Sequence, residues 1–281
     1  MHKIKPWQQI LYQLGLLMVA MYVLLPIWVL AYMAFDASLK GSPVDIRLWP
    51  QEFTLEIFQK VWQSPSQLLS FPGLLKNSLI VAGGAALLSV VFGASMAYAF
   101  ARYRFPGQRV GLFALLVGAF LPPVALMTPL YLLLESIHLR TSLLGLMIVY
   151  TAIAMPFCIW NMRASFQAVS KELEEAAFLD GAGPFTAFIR VILPLALPSI
   201  AVAALVAFLV GYTEFAIGWL FVESGENVTL AMAVSGIIRQ SGGSGANLAA
   251  LAILMSIPVV IVFIVLQRYL IDRLLVGSVE T

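Results

Sequence analysis

Apolar residues occur along the chain in long runs that are separated by shorter polar segments. The runs cover approximately 10–35, 76–101, 110–134, 142–164, 192–221 and 247–268. A helix needs about 20 apolar residues to cross the hydrocarbon core of a bilayer, and each run reaches that length. The pattern therefore predicts an all-α integral membrane protein, with six transmembrane helices in a single transmembrane domain over 1–281.

Two of these runs contain residues that bear on helix packing. Small side chains recur every four residues along the second run, at Ala85, Ser89, Gly93, Ala97 and Ala101. We expect them to form a smooth helix face that lets another helix approach closely. In the third run, the adjacent Pro122 and Pro123 donate no backbone N–H, so we expect a break or a bend there.

The composition agrees with a membrane protein. Apolar residues make up 61% of the chain and charged residues 11%, and the mean hydropathy is +0.95. A soluble domain has about 25% charged residues, so the water-facing surface is small. The net charge of +2 is too small to indicate nucleic-acid binding. Cys158 is the one cysteine, so no intrachain disulfide can form, and no metal site is predicted.

The distribution of Lys and Arg predicts the orientation. The run 10–35 is too long for the apolar core of a signal peptide, so we read it as a retained first span. Positive residues favour one side, which holds both termini and the segments 102–109 and 163–190. That side is expected to be cytoplasmic. The segments 36–75 and 222–246 are then extracytoplasmic loops. Within 36–75, a short helix capped by Thr54 is expected to place Leu55, Phe58, Val61 and Trp62 on one face.

One short segment, 170-SKELEEAAFLDGAG-183, breaks the apolar pattern with acidic and basic residues. Ser170 is a good N-cap, so a helix is expected to begin there. The sequence from Asp180 to Gly183 should end this helix, and Pro184 should begin another. We therefore predict two short helices over 170–190, joined at a glycine bend. An ordinary solvated connection between two spans is the alternative.

The spacing within this segment resembles that of a known motif. Glu175-Ala176-Ala177, three residues, Gly181, nine residues, Val191, one residue and Leu193-Pro194 follow the pattern of the EAA loop of ABC importer permeases. In that family, Ile usually occupies the place of Val191. The resemblance implies that 170–190 forms cytoplasmic coupling helices that dock in a groove of an ATPase. The residues expected to couple to that ATPase are Glu174, Glu175, Ala176, Ala177, Asp180, Gly181, Leu193 and Pro194.

Three further segments extend the resemblance over essentially the whole chain. Arg102 to Gly107, Tyr212-Thr213-Glu214 and Gln267 to Leu270 are similar to segments of the maltose-type carbohydrate permeases, specifically of the shorter subunit of the pair. This implies the ABC type I importer permease fold in a bacterial cytoplasmic (inner) membrane. It also implies a second permease subunit, two ATPase subunits and an extracytoplasmic sugar-binding protein as partners. ATP-Mg would be bound by the ATPase, so the chain would need no cofactor and would not itself be an enzyme.

Glu214 is the one carboxylate deep in a predicted span, where a charge costs at least ~2.5 kcal/mol. It should therefore face a bundle interior or a wet cavity. One interpretation is that Tyr212, Thr213 and Glu214 line the translocation pathway or its gate. The other is that Glu214 bonds a neighbouring helix.

The outer segment before the last span holds Gln240, Ser241, Gly242, Gly243 and Ser244. Its glycines allow the backbone to approach another surface closely. The resemblance implies a scoop loop that enters the binding protein and helps expel the sugar, and a flexible linker is the alternative. The glycines are not part of a nucleotide site, because no G-x-x-x-x-G-K-[ST] phosphate loop occurs in the sequence.

These observations favour the permease subunit of an ATP-driven importer for maltose, maltodextrin or trehalose. An importer of another carbohydrate or of a glycerol phosphate is the first alternative. A stand-alone secondary transporter would need ion-coupling residues inside the spans, and an intramembrane enzyme would need a catalytic pair or metal ligands there. Only Glu214 is a candidate for such a role, and His2 and His138 both lie outside the predicted spans.

Overall fold

The described part of the chain, in a computed structural model, comprises residues 5–39, 49–63, 65, 69–223, 225–240 and 245–276. Within these residues the secondary structure is helical, apart from an isolated antiparallel bridge between Asp36 and Phe53. The α-helices are α1 (Pro6–Ala34), α2 (Glu56–Gln63), α3 (Phe71–Arg102), α4 (Gln108–Phe120), α5 (Pro123–Ser136), α6 (Leu143–Ala168), α7 (Lys171–Leu179), α8 (Pro184–Ala187), α9 (Leu193–Leu195), α10 (Leu197–Thr213), α11 (Ala216–Phe221), α12 (Leu230–Gln240) and α13 (Gly245–Val276). A π-helical turn, Phe188–Ile192, joins α8 to α9.

Four of the described helices, namely α1, α3, α6 and α13, are long and apolar enough to cross a membrane. Two bent pairs raise the number of candidate spans to six if each pair is counted as one. The predicted all-α membrane class is confirmed. The first bent pair is α4 with α5, and it turns by 105°. Its break lies at Pro122 and Pro123, as the missing N–H donors predict.

The fifth apolar run, 192–221, is divided into several helices rather than one. The helices before and after Ala196 meet at an angle of 80°. Pro194 and Pro198 flank this bend, and neither can donate a backbone hydrogen bond. A second interruption follows Thr213, where α10 ends and Glu214 has an extended conformation. Farther on, the segment 222–246 contains α12, which the Gly and Ser content of that segment did not suggest.

The described residues fall into two compact units. One is drawn from residues up to Phe71 and from Val234–Ile257, and the other from Pro72–Ala233 and from Pro258 onward. In the first unit, α1 exposes almost all of its apolar side chains from Trp7 to Leu30, as a lipid-facing or partner-facing helix would, and it buries Tyr32, Met33 and Ala34 at its end. In α2, Ile57 and Val61 are the buried side chains. The predicted Thr54 cap is present, since its hydroxyl accepts a hydrogen bond from the Glu56 N–H.

The loop that follows α1 is organised around the buried carboxylate of Asp36. The Ser38 hydroxyl donates to Oδ1 at 2.7 Å, and backbone N–H groups of Ser38, Gln51 and Glu52 donate to the same carboxylate. Burial alone would raise the pKa of Asp36, but these hydrogen bonds outweigh it and hold the pKa below its ordinary value. Asp36 therefore ties the two ends of this loop together.

In the second unit, α3 packs closely through its small residues, as predicted. Ala85, Ser89, Gly93 and Ala97 are all buried. A Cβ atom added to Gly93 would lie 2.9 Å from a Met162 methyl carbon of α6. Larger side chains fill the remaining space between α3, α6, the π-helical turn and α10, and Cys158 lies fully buried among them. The small residues thus allow the helix contacts that position the segment 170–194.

Candidate functional site

The segment predicted to couple to an ATPase begins with a capped helix. The Ser170 hydroxyl accepts a hydrogen bond from the Glu172 N–H at 3.2 Å, which confirms the predicted N-cap of α7. At the other end, the Gly181 N–H donates to the Phe178 carbonyl at 3.0 Å and the Ala182 N–H donates to the Ala177 carbonyl at 2.9 Å. This pair of bonds is a Schellman motif.

Gly181 has the conformation that this motif requires. Its φ is +84°, in the left-handed region where a side chain is disfavoured. α7 therefore ends sharply, and Pro184 begins α8 at its first position, as predicted. No atom lies within 4 Å of the position that a Cβ would occupy on Gly181 or on Gly183. The glycine bend is thus open on its outer side.

Two large apolar side chains flank this bend and project into open space. Leu179 is 90% exposed and Phe185 is 76% exposed. Glu175, Ala176 and Asp180 are exposed beside them, and Ala177 is half-buried. Apolar side chains this exposed, grouped beside small and acidic residues, are typical of a protein-binding surface. We refer to Glu175, Ala176, Leu179, Asp180, Gly181 and Phe185 as the outer face of the segment.

Glu174 does not belong to this outer face. Its side chain is 8% exposed, and its Oε2 lies 2.9 Å from Nε of Arg102 at the end of α3. Arg102 also donates from Nη2 to the Val169 carbonyl at 2.8 Å, just before α7 begins. The contact of Glu174 is therefore with its own chain, whereas the adjacent Glu175 points outward.

The remaining predicted coupling residues lie beyond the π-helical turn. Leu193 is half-buried and packs against the core cluster of α3, α6 and α10, whereas Pro194 is exposed. Ala187 and Phe188 are buried between this point and the outer face. Leu193 and Pro194 therefore connect the segment to α10, and they do not extend the outer face.

The three residues predicted to line a pathway have different environments. Tyr212 is buried, and its ring stacks on Phe208 with centroids 5.5 Å apart. Thr213 is exposed, and its hydroxyl donates to the Leu209 carbonyl within α10. Glu214 lies between α10 and α11. Of the three, Thr213 has the side chain that is open to its surroundings.

The Glu214 carboxylate is held by several donors at once. Backbone N–H groups at the start of α11, those of Ala216, Ile217 and Gly218, donate to it at 3.0–3.3 Å. The Tyr150 hydroxyl of α6 donates to Oε2 at 2.9 Å. A carboxylate is favoured at the amino end of a helix. The geometry therefore assigns Glu214 to bonding a neighbouring helix and capping α11.

A second polar cluster lies where the connection between α5 and α6 meets the segment that follows α11. Arg140 forms ion pairs with Glu135 at the end of α5 and, at 2.6 Å, with Glu223 just after α11. The hydrogen bond to Glu223 raises the pKa of Arg140, and Arg140 in turn lowers the pKa of Glu223. The guanidinium also lies over the Tyr131 ring, 4.8 Å from its centroid. This cluster joins the α5–α6 connection to the segment after α11.

Hydrogen bonds from two asparagines fix the segment that leads to α12. Asn227 donates to the Thr141 carbonyl at 2.7 Å, and Asn77 of α3 donates to the Glu226 carbonyl at 2.7 Å. Of the predicted scoop residues, Gln240 is the last residue of α12. Ser241, Gly242, Gly243 and Ser244 lie outside the described residues.

Three elements of this site were not predicted from the sequence. Arg102 was used for its charge and for the resemblance, but its pairing with Glu174 was not predicted, although an arginine at the last turn of an apolar helix can reach a neighbouring acid. Tyr150 is a polar side chain inside a predicted span, which could have been matched with Glu214. Leu179 and Phe185 flank the predicted turn, and two large apolar residues in a polar connection indicate a binding surface.

Comparisons with known proteins give a consistent result. The family described as "Binding-protein-dependent transport system inner membrane component" matches residues 89–276, more than half of the chain. The trehalose transport system permease protein SugB of Mycobacterium tuberculosis is 30% identical over 264 residues, which cover 92% of this chain and 93% of that protein. The trehalose/maltose transport system permease protein MalG of Thermococcus litoralis is 30% identical over 280 residues, 97% of each chain.

Among solved structures, a chain of a bacterial ABC transporter involved in the import of the acidic polysaccharide alginate is similar in fold. It superposes with a TM-score of 0.77 over 96% of this chain and 99% of that chain, at 22% sequence identity. At that identity the similarity concerns the fold.

Proposed function

The chain belongs to the family of binding-protein-dependent transport system inner membrane components, and we propose that it is the permease subunit of an ATP-driven sugar importer. The observation that carries this proposal is the outer face, in which Leu179 and Phe185 flank the left-handed turn at Gly181. Leucine and phenylalanine side chains exposed together at this turn form an apolar surface suited to contact with another protein. The partner is an ATPase subunit that binds ATP-Mg.

The short helices of the segment would transmit movement of this ATPase to the spans. α7 is held at both ends, by the Ser170 cap and by the Schellman motif at Gly181. The chain then enters the core at Ala187 and Phe188 and continues into α10. A displacement of the outer face is thereby passed to α10 as a displacement of packed helices. Access would alternate between the two sides of the membrane in this way.

The sugar is assigned to the class that includes maltose, maltodextrin and trehalose. This rests on the names of the relatives, which transport trehalose or maltose and align over nearly the full length of the chain. Thr213 is the residue of the predicted pathway whose side chain is exposed. Its hydroxyl could bond a sugar hydroxyl. Glu214, bonded to α11 and Tyr150, and Tyr212, stacked on Phe208, would hold the end of α10 in position.

We assign the side that carries 170–190 to the cytoplasm, and both termini with it. The Arg140 cluster then lies on the extracytoplasmic side, where a sugar-binding protein docks. By the predicted topology, the segment from Gln240 to Ser244 would also be extracytoplasmic, and it would act as the scoop. A second permease subunit completes the pathway, since α1 leaves a long apolar surface for lipid or for a partner.

Co-purification tests this function. The tagged chain is expressed with the neighbouring permease, ATPase and binding-protein genes, and the complex is assayed for bound ATPase and for ATP hydrolysis stimulated by the binding protein. The double variant Leu179→Ser/Phe185→Ser should lose the ATPase. The control Val110→Ser, which alters a 71% exposed residue of α4, should retain it.

The sugar is then identified by uptake into proteoliposomes, with labelled maltose, trehalose and glycerol 3-phosphate as competing substrates. Uptake of maltose or trehalose supports the proposed class, and uptake of glycerol 3-phosphate alone would replace it. If no ATPase co-purifies with the unmodified chain, the importer function is wrong and a stand-alone transporter takes its place.

A further inference from the structure

The end of α3 contacts the coupling segment at two separate points. The first is the ion pair of Arg102 with Glu174, whose side chains are 6% and 8% exposed. The second is aromatic: the Tyr98 ring lies 4.6 Å, centroid to centroid, from the ring of Phe188 in the π-helical turn. One contact is thus on α7, before the glycine bend, and the other is on the π-helical turn, after it. The C-terminal end of α3 therefore contacts the segment on both sides of the bend.

Arg102 makes two contacts of different kinds. Its Nε lies 2.9 Å from Oε2 of Glu174 within α7, an ion pair without a hydrogen bond, while its Nη2 donates a hydrogen bond to the Val169 carbonyl ahead of α7. The side chain therefore holds α7 to α3 by charge attraction at Glu174 and by a directional hydrogen bond at Val169. A lysine has a single ammonium group in place of the guanidinium and cannot reproduce both contacts.

Apolar side chains do not pack densely between α3 and α7 beside the ion pair. An open cleft of about 180 Å³ lies beside the ion pair, lined also by Tyr98, Tyr103, Lys171 and Phe178. Because this space is not filled by side chains, the charged pair rather than a dense apolar interface joins α7 to α3 here. A buried ion pair adds little net stability, since the attraction between the charges is offset by their desolvation. Its value lies in the geometry that it imposes.

We propose that Arg102 and Glu174 are positioning residues that pass the movement of the coupling segment to α3. This inference rests on the proposed function, because it takes the outer face to be the surface on which the ATPase acts. The segment already continues along the chain into α10. The ion pair gives it a second connection, so that α3 and α10 move together when the ATPases close. Without the pair, ATP would still be hydrolysed, but α3 would no longer follow.

The first test measures the number of sugar molecules transported per ATP hydrolysed by the complete complex. In the Glu174→Gln complexes that assemble, ATP hydrolysis should be retained, while the transport ratio falls about fivefold or more, as for the loss of a typical coupling between sites. The matched control is Glu172→Gln, the same change at an exposed carboxylate of the same helix. It should leave the ratio unchanged.

A merely structural role is distinguished by the double variant Arg102→Met/Glu174→Gln. This chain has no unpaired buried charge, so its stability and its assembly should recover relative to Arg102→Met alone. The transport ratio should nevertheless remain low. Recovery of the ratio together with stability would overturn the inference. Arg102→Lys keeps the charge but cannot hold both partners, and it should give an intermediate ratio.

The second test follows the movement directly. Spin labels at Arg104 and Glu172, both exposed, report the distance between the end of α3 and the start of α7. The labels are placed in a Cys158→Ser background. This distance should be the same in the nucleotide-free and ATP-bound complexes, and it should change between them in the Glu174→Gln variant.

A distance that already changes between the two states when Arg102 and Glu174 are both present contradicts the inference while leaving the importer function intact. If the complex contains no ATPase, the importer function fails first and the inference fails with it.

Discussion

The Tyr150 hydroxyl donates a 2.9 Å hydrogen bond to Glu214 across 64 residues of sequence, and it thereby ties α6 to the junction of α10 and α11. The backbone of this junction is interrupted, so the N–H groups at the start of α11 have no partners within that helix. The Glu214 carboxylate supplies those partners. One buried tyrosine and one carboxylate therefore stabilise a break in an otherwise apolar helix.

We predict that Tyr150→Phe destabilises the protein by about 1.5–3 kcal/mol, the typical contribution of a hydrogen bond to a charged group. The ring, which belongs to the apolar core, is kept. The measurement is the free energy of unfolding in mixed micelles. Tyr131→Phe is the control, since the ring of Tyr131 makes its contacts with Arg140 and Phe221. Equal stability of the two variants would show that the Glu214 contact contributes nothing.

Gly181→Ala should weaken ATPase binding, whereas Gly183→Ala should not. The Cβ of alanine meets no atom within 4 Å at either position. Gly181 has a φ of +84°, however, whereas Gly183 has a φ of −76° that any residue adopts. The left-handed conformation costs an alanine about 1–2 kcal/mol, so the end of α7 should shift. The yield of co-purified ATPase measures the difference, and equal yields would contradict the role of the turn.

Much of the fold could be predicted because it depends on local sequence. A run of about 20 apolar residues indicates a spanning helix wherever it occurs, and a Pro-Pro pair removes two donors in any context. The Ser170 cap and the break after Leu179 follow from residues within a few positions of each other. Each of these features was predicted without knowledge of any distant contact.

The environment of neighbouring acids could not be predicted in the same way. Glu174 and Glu175 are identical in type and adjacent, yet Glu174 is buried against Arg102 and Glu175 is exposed. Only the position of α3 decides between them. The predicted face of α2 is confirmed only in part: Val61 is buried and Phe58 packs against Phe35. Leu55 differs for a local reason, because α2 begins at Glu56, so Leu55 precedes it and is 60% exposed, while Ile57 is buried.

Asp36→Asn should destabilise the protein at neutral pH and have little effect in acid. The folded-state pKa of Asp36 lies below its ordinary value of 3.8. A carboxyl group with a lowered pKa contributes stability at pH values above the unfolded-state pKa, and this is lost as the pH falls through the folded-state pKa. The difference in unfolding midpoint between the unmodified chain and the variant should therefore be full at pH 7 and shrink below about pH 4.

Glu52→Gln is the control for this pH dependence. The Glu52 side chain is exposed, and it is the backbone N–H of Glu52 that donates to Asp36. The control should unfold like the unmodified chain throughout the pH range. A difference between the unmodified chain and Asp36→Asn that does not vary with pH would show that the Asp36 charge is not what holds the loop.

Gly211→Ala tests whether the close approach of α10 to α3 is required. A Cβ at Gly211 would lie 2.9 Å from the Cα of Ala82, a backbone atom that cannot rotate away. The two helices would have to separate, and overpacking of this kind costs about 1–3 kcal/mol. Gly118→Ala is the matched control, because it also replaces a helical glycine but meets no atom within 4 Å. Alanine favours a helix over glycine by about 1 kcal/mol, so the control should be as stable as the unmodified chain or more so.

Because Gly211 precedes Tyr212 and the break at Glu214, we also expect the separation of α10 from α3 to reduce transport. If both variants were equally stable and active, α10 and α3 would not need the small residues that bring them together.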